Sequence, residues 1–310
     1  MQNPTGIVLS QHRELYAVLC ETNEVEVCAR VSGRLAYTLK EPSDYPVVGD
    51  RVALRFAEQA AGQAVISQVL PRRSLLVRTA AGTKKYSQPI AANLDVLFIC
   101  TSLNQELNQR RLERYLAAAH GAGIVPVIVL TKADLCANAQ AVREQVERDN
   151  PGVEIIACSA AAGTDCAKVR SRIGAGQAAF IGSSGVGKST LVNALLGKEA
   201  LLTHAVRDDA RGRHTTTYRQ LVRLEGGGAI IDTPGMRELA LDESDVAGAF
   251  EEIGTYSNAC RFSDCTHTHE PGCAVRRAVE DGRIDRGRYE SYLKLRCEED
   301  ARGRRRRRGR

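Results

Sequence analysis

The chain has no hydrophobic run long enough to cross a bilayer. Its longest apolar stretches, residues 96–100 and 124–130, fall far short of the roughly 20 residues a spanning helix needs. The N-terminal Met1-Gln2-Asn3-Pro4 lacks the basic patch and apolar stretch of a secretory signal. Aromatic residues are only 5% of the chain and tryptophan is absent. The first 75 residues hold Tyr16, Tyr37, Tyr45 and Phe56, too few for a dense base-stacking platform. Ten cysteines are present, but they do not read as a disulfide framework. Cys20, Cys28, Cys100, Cys136, Cys158, Cys166 and Cys297 are scattered singly and read as reduced small hydrophobes. On these absences neither a membrane protein nor a disulfide-stapled secreted domain is expected. A soluble cytoplasmic chain is expected, with no membrane partner.

Charge is concentrated at one end. The net charge is +6, and the tail from Arg302 to Arg310 holds seven arginines, so the rest of the chain stands at −1. Residues 301–310 are expected to be a disordered tail. It suits RNA phosphates, whose neutralisation releases counterions; a solvated tail without a partner is the alternative.

At 310 residues the chain has room for two or three domains. Residues 1–75 contain five short β-branched or alternating runs at 7–9, 15–19, 25–29, 52–56 and 65–70, separated by turn residues. This pattern predicts a five-stranded barrel of the OB-fold type. Such a barrel either binds RNA or serves as structure. Pro71-Arg72-Arg73 and Gly82-Thr83-Lys84-Lys85 read as a basic linker. Strand and helix patterns then alternate through residue 181, which predicts a parallel sheet with helices on both faces. Ligands of such sheets sit beyond the carboxyl ends of the strands.

The strongest motif lies at one such end. Gly182-Ser183-Ser184-Gly185-Val186-Gly187-Lys188-Ser189-Thr190 follows an apolar strand pattern and opens a helical one. It fits the phosphate-binding loop. Glycines let backbone N–H groups face a phosphate, and the helix N-terminus adds positive charge. Lys188 would reach the β- and γ-phosphates, and Ser189 would give its hydroxyl to Mg²⁺.

Four further signals accompany the loop. Thr131-Lys132-Ala133-Asp134 is similar to the N/T-K-x-D guanine motif: the Asp134 carboxylate would accept from the ring N–H and exocyclic amine. Ser159-Ala160 resembles the short motif that supports the base. Asp232-Thr233-Pro234-Gly235 has the D-x-x-G form, in which Asp232 touches Mg²⁺ through water and Gly235 N–H meets the γ-phosphate. Gly212-Arg213-His214-Thr215-Thr216-Thr217 supplies three candidate switch threonines; Thr216 is preferred, for closure over Mg²⁺ and the γ-phosphate. The base motifs precede the phosphate loop, the reverse of the ordinary GTPase order, so the expected domain is circularly permuted.

Cys260, Cys265, His267, His269 and Cys273 lie within fourteen residues. Three thiolates and one imidazole suit tetrahedral Zn²⁺, and the closed donor set predicts a structural site.

Taken together, the barrel pattern, T-K-x-D, G-x-S-G-V-G-K-S-T, G-R-H-T-T-T, D-T-P-G and the Cys/His cluster resemble the RsgA (YjeQ-type) small-subunit-dependent GTPase family over nearly the whole chain. The resemblance implies an OB-fold barrel at 1–75, a permuted α/β P-loop GTPase domain at 76–238 and a helical zinc domain at 239–300. It implies GTP as substrate with Mg²⁺, one structural Zn²⁺ held by Cys260, Cys265, His267 and Cys273, and turnover stimulated by the 30S subunit late in its maturation. Partners would be the 30S subunit and 16S rRNA, with other maturation factors a further class. A monomer is expected. His214 is implied as a catalytic residue beside Lys188 and Thr216; a solvated loop histidine is the alternative. Met236 stands where many GTPases carry a water-orienting glutamine, which predicts slow turnover by the isolated protein. Two rival readings remain: a GTP-switched RNA-binding scaffold, and a permuted GTPase serving another ribosomal particle.

Overall fold

A computed structural model describes residues 3–56, 63–79, 87–103, 107–183, 185–197, 219–232, 250–262, 264–290, 292–293 and 296. The first five strands are β1 (Thr5–His12), β2 (Leu15–Cys20), β3 (Glu26–Val31), β4 (Arg51–Phe56) and β5 (Gln63–Val69), and burial alternates along all but β4. β1–β2, β2–β3, β4–β5 and β1–β4 pair antiparallel, and β3–β5 pairs parallel. That cycle closes a barrel with no free edge. Val8, Val18, Val52, Leu54 and Ile66, all fully buried, fill it.

The turn residues expected between the strand runs include Ser32-Gly33, but Ser32 accepts a hydrogen bond from Leu35 N and caps helix α1 (Gly33–Thr38), the usual role of an N-cap serine. The stretch expected as a basic linker contains strand β6 (Leu75–Thr79), paired with β7 (Ser87–Ala92). Arg72 is no solvated linker cation. Its Nε and Nη2 donate to Asp50 Oδ1 and Oδ2 at 2.8 and 2.7 Å, and it also reaches the carbonyls of Ser43 and Tyr45. Asp50 is fully buried, so this pair holds the barrel's exit in place. Gly82-Thr83-Lys84-Lys85 lies outside the described residues.

The α/β region runs β8 (Val96–Ser102), α2 (Gln109–Gly121), β9 (Val125–Thr131), α3 (Ala139–Asp149), β10 (Glu154–Ala157), α4 (Cys166–Ile173), β11 (Gln177–Ile181), α5 (Lys188–Leu196), β12 (Gln220–Arg223) and β13 (Ala229–Asp232). The strand order is β10-β9-β8-β11-β13-β12. All neighbours are parallel except β12 against β13. β8 and β11 are near-continuous apolar runs because both faces are covered. The rings of Phe98 and Phe180 stack at 4.8 Å at the centre. One pairing, Ser10 with Gln220, joins β1 to β12.

Residues 108–121 and 243–310 group as a second compact unit. Helices Glu251–Ser257 and Ala274–Glu280 pack with α2 around Phe250, Ile253 and Val275, all fully buried. Glu113 of α2 lies 3.9 Å from the Arg288 guanidinium, which also binds Glu252 and sits over the Phe250 ring. No helix among the described residues is long and apolar enough to cross a membrane.

Candidate nucleotide-binding site and metal centre

β11 delivers the chain into the phosphate loop at Gly182, whose φ is +140°. A Cβ there would stand 2.2 Å from the Cys100 carbonyl oxygen, so the close approach of loop to β8 requires glycine. Gly187, at φ +96°, starts α5, and Lys188 is its first residue. Lys188 Nζ donates to Gly182 O at 2.8 Å and Ser183 O at 2.7 Å. The ammonium is thereby held at the loop's mouth, where an anion would meet it together with the α5 N-terminus. Ser189 and Thr190 are exposed on the first turn, Val186 is buried in the core and Gly185 is open. Ser184 lies outside the described residues.

The Thr131-to-Asp134 segment meets this loop. Thr131 ends β9 and is buried; its hydroxyl donates to the Val186 carbonyl, with Thr101 O at 3.2 Å as a second acceptor. Lys132 takes the left-handed conformation, φ +57°. A Cβ on Gly187 would lie 3.8 Å from Thr131 Oγ1 and 4.0 Å from Lys132 Cε. The Lys132 stem therefore runs beside the glycine that opens α5, and Asp134 stands exposed in the following turn. Ala133 N donates to Cys158 O at 3.3 Å, which ties this turn to Ser159-Ala160. Ser159 is buried, and its Oγ accepts from Ala162 N at 3.1 Å; Ala160 packs on the core beneath.

The structure thus brings together Thr131, Lys132, Gly182, Ser183, Gly187 and Lys188, with Asp134 and Ser159-Ala160 on the adjoining turns. Asp232 ends β13, two strands from β8 across β11, with its backbone opposite Gln220. His214, Thr215, Thr216, Thr217, Gly235 and Met236 lie outside the described residues. Sequence reasoning missed Cys100, whose carbonyl lies against Gly182, and Thr101, whose carbonyl accepts from Thr131; a backbone role leaves no side-chain signature. Burial pushes the Cys100 thiol up to about 12, partly opposed by the Lys188 charge.

The second cluster is built by a short loop and a helix start. The donor atoms of Cys260, Cys265, His267 and Cys273 lie within 4.8 Å of one another. His267 Nδ1 is 3.5 Å from both Cys260 Sγ and Cys273 Sγ, and those sulfurs are 3.9 Å apart. Tetrahedral Zn²⁺, with bonds of about 2.3 Å to sulfur and about 2.0 Å to nitrogen, needs edges of about 3.8 and 3.5 Å. The donor set and spacings fit that ion. His269 is outside the group; it is exposed and bonds Thr268. Burial and the Arg296 charge hold His267 below its ordinary range, which favours the neutral ring a metal requires.

Two supporting residues were not foreseen. Glu270 accepts from the backbone N–H groups of Thr266, Thr268 and His269 and from the Thr266 hydroxyl. Those bonds hold its carboxyl well below the usual range and shape the turn that places His267 at φ +63°. Tyr289 OH donates to His267 O at 2.5 Å. A glutamate three residues past His267 was the available signal for the first; the second comes from a distant helix and left none.

Comparison with known proteins adds to this geometry. Residues 69–242 match the family described as RsgA GTPase. The small ribosomal subunit biogenesis GTPase RsgA 2 of Lactiplantibacillus plantarum is 48% identical over 295 residues, covering 94% of this chain and 82% of that protein. The small ribosomal subunit biogenesis GTPase RsgA of Opitutus terrae is 43% identical over 289 residues, covering 88% and 78%. The crystal structure of YjeQ from Thermotoga maritima superposes with a TM-score of 0.74 at 28% identity, covering 95% of this chain and 98% of that one. YloQ, described as a circularly permuted GTPase, shares the fold with a TM-score of 0.72 over 97% and 96% of the two chains.

Proposed function

The chain belongs to the RsgA GTPase family, and on that premise we propose that it hydrolyses GTP under control of the small ribosomal subunit, acting late in 30S maturation with 16S rRNA as a contact. The observation that carries the nucleotide part is the meeting of Thr131 and Lys132 with Gly187 at the mouth of the phosphate loop. Relatives named for small-subunit biogenesis support the ribosomal part.

In this reading the loop N–H groups of residues 182–190 and Lys188 bind the phosphates, and Asp134 reads guanine over the Lys132 stem. Ser189, Thr216 and Asp232 would hold Mg²⁺, which neutralises phosphate charge when bound. His214 orients the attacking water in place of the glutamine missing at Met236. Gly235 N–H senses the γ-phosphate, and the chain that follows leads directly into the metal-binding unit, so nucleotide state can be relayed there. Cys260, Cys265, His267 and Cys273 would hold one Zn²⁺ as a structural clasp. The domain limits 1–75, 76–238 and 239–300, the Arg-rich tail as an RNA contact, a monomeric state and a cytoplasmic site of action go with this reading.

Met236 also favours a second reading, a GTP-switched RNA-binding scaffold with incidental turnover. The base assignment is tested by Asp134→Asn. Xanthine presents a carbonyl where guanine has its 2-amino group, so the asparagine amide should favour xanthosine triphosphate. A variant that keeps its guanine preference refutes the role of Asp134.

A further inference from the structure

The outer face of the barrel has a floor of small side chains in register. Ser10 of β1 lies opposite Ala17 of β2, and Ala17 lies opposite Cys28 of β3. They underlie a groove of about 350 Å³ bordered by His12, Leu15 and Glu26. β1 carries a register shift between Val8 and Ser10 at its rim, and such bulges re-aim side chains beside functional sites. Cys28, a free thiol, is exposed here; β3 turns Val27 and Ala29 inward instead.

Two cations flank the groove. Arg13 forms the turn between β1 and β2, at φ +56°. Arg30 follows Cys28 by two residues and so shares its face of β3. Both are exposed. Among the described residues neither guanidinium is in an ion pair, nor is the Glu26 carboxylate, whereas Arg51, Arg72 and Arg73 of the same unit all have acidic partners.

We propose that this groove is a slot for one unpaired guanine of single-stranded RNA. The low floor leaves room for a flat ring where a larger residue would stand up into it. The Glu26 carboxylate accepts from the guanine N1–H and 2-amino group, a donor pair that adenine, cytosine and uracil do not present. Arg13 and Arg30 meet the flanking phosphates. The strand 2–3 face of small barrels is a general nucleic-acid platform, and unpaired bases are read by their edges in such places. Edge reading on a small-residue floor also suits a barrel with so few aromatics. The proposal rests on the ribosomal reading only for which RNA is bound.

The experiment uses the full chain saturated with GDP, so that the nucleotide site is filled. Maleimide labelling of Cys28 is followed by peptide mass spectrometry with a short single-stranded RNA carrying a central guanine, the same RNA with adenine there, or free GMP. The guanine RNA should slow labelling about tenfold more than the adenine RNA, a modest value for one bidentate base contact. Glu26→Gln should erase that difference and Ala17→Trp should abolish protection of Cys28 by the guanine RNA, both with GTP turnover unchanged. Equal protection by the two RNAs, or none by either, overturns the slot. Protection by GMP equal to that by RNA overturns RNA as the ligand. A protein protected by guanine RNA yet unstimulated by 30S particles would retain the slot and lose the ribosomal reading instead.

Discussion

The hydroxyl of Thr131 donates to the carbonyl of Val186, 55 residues further along the chain. One is the last residue of β9, and the other sits inside the phosphate loop. The bond fastens the segment that would read the base to the segment that would bind the phosphates. The two halves of the nucleotide site are therefore positioned as one body, although they stand in permuted order.

Replacing that hydroxyl has a readable consequence. Thr131→Val keeps the shape and removes the donor, leaving a buried carbonyl short of a partner at about 1–3 kcal/mol. GDP affinity should fall about tenfold or more, measured by titration calorimetry. Thr131→Asn restores a donor at the same place and should stay near the parent. Equal losses in both variants would contradict the positioning role.

The metal centre makes a composition prediction. Metal analysis of the purified chain should find one zinc per molecule. Cys265→Ser should lose it, and His269→Ala should keep it, since His269 is outside the donor group. Chelation should melt the helices of the second unit while the first unit keeps its thermal transition, because binding of a structural zinc is worth on the order of 10 kcal/mol of folding free energy. Retention of zinc in Cys265→Ser, or loss in His269→Ala, contradicts the assignment.

Alkaline pH should destabilise the first unit. Burial pushes the thiols of Cys100 and Cys158 and the phenol of Tyr16 each up to about 12 in the folded chain. Their ordinary values are 9.0 for the thiols and 10.0 for the phenol. A raised folded value means that the neutral form is favoured by folding. That stabilisation is complete below pH 9 and is lost as pH rises from 9 through 12. Urea midpoints should be flat from pH 7 to 8.5 and fall steadily above 9, and Cys100→Ala should lessen the fall. Midpoints unchanged to pH 11 would contradict the burial of these groups.

Much of this architecture is legible in the chain, and the exceptions share a cause. β-branched alternation marks all five barrel strands, and the apolar runs ending at Thr131 and Ile181 mark the strands beneath the motifs. The hairpin of β6 and β7 was not legible because Arg72 reads as a linker cation. Arg72 is held by its pairing with Asp50, 22 residues earlier, and a long-range ion pair has no local signature. β12 has four residues, and its place is set by pairing with β13 rather than by pattern. In the metal centre the Cys/His cluster and the nearby Glu270 stand out in the chain, whereas Tyr289 acts through a bond to the His267 carbonyl 22 residues away, which no local pattern reveals.

The central claim, turnover governed by the small subunit, is met most directly by steady-state GTP hydrolysis of the purified protein alone, with 30S particles and with 50S particles. The account predicts slow turnover alone, in keeping with Met236, and a rise of orders of magnitude with 30S only. An equal rise with 50S, or GTP-dependent binding to 30S without faster turnover, would contradict it.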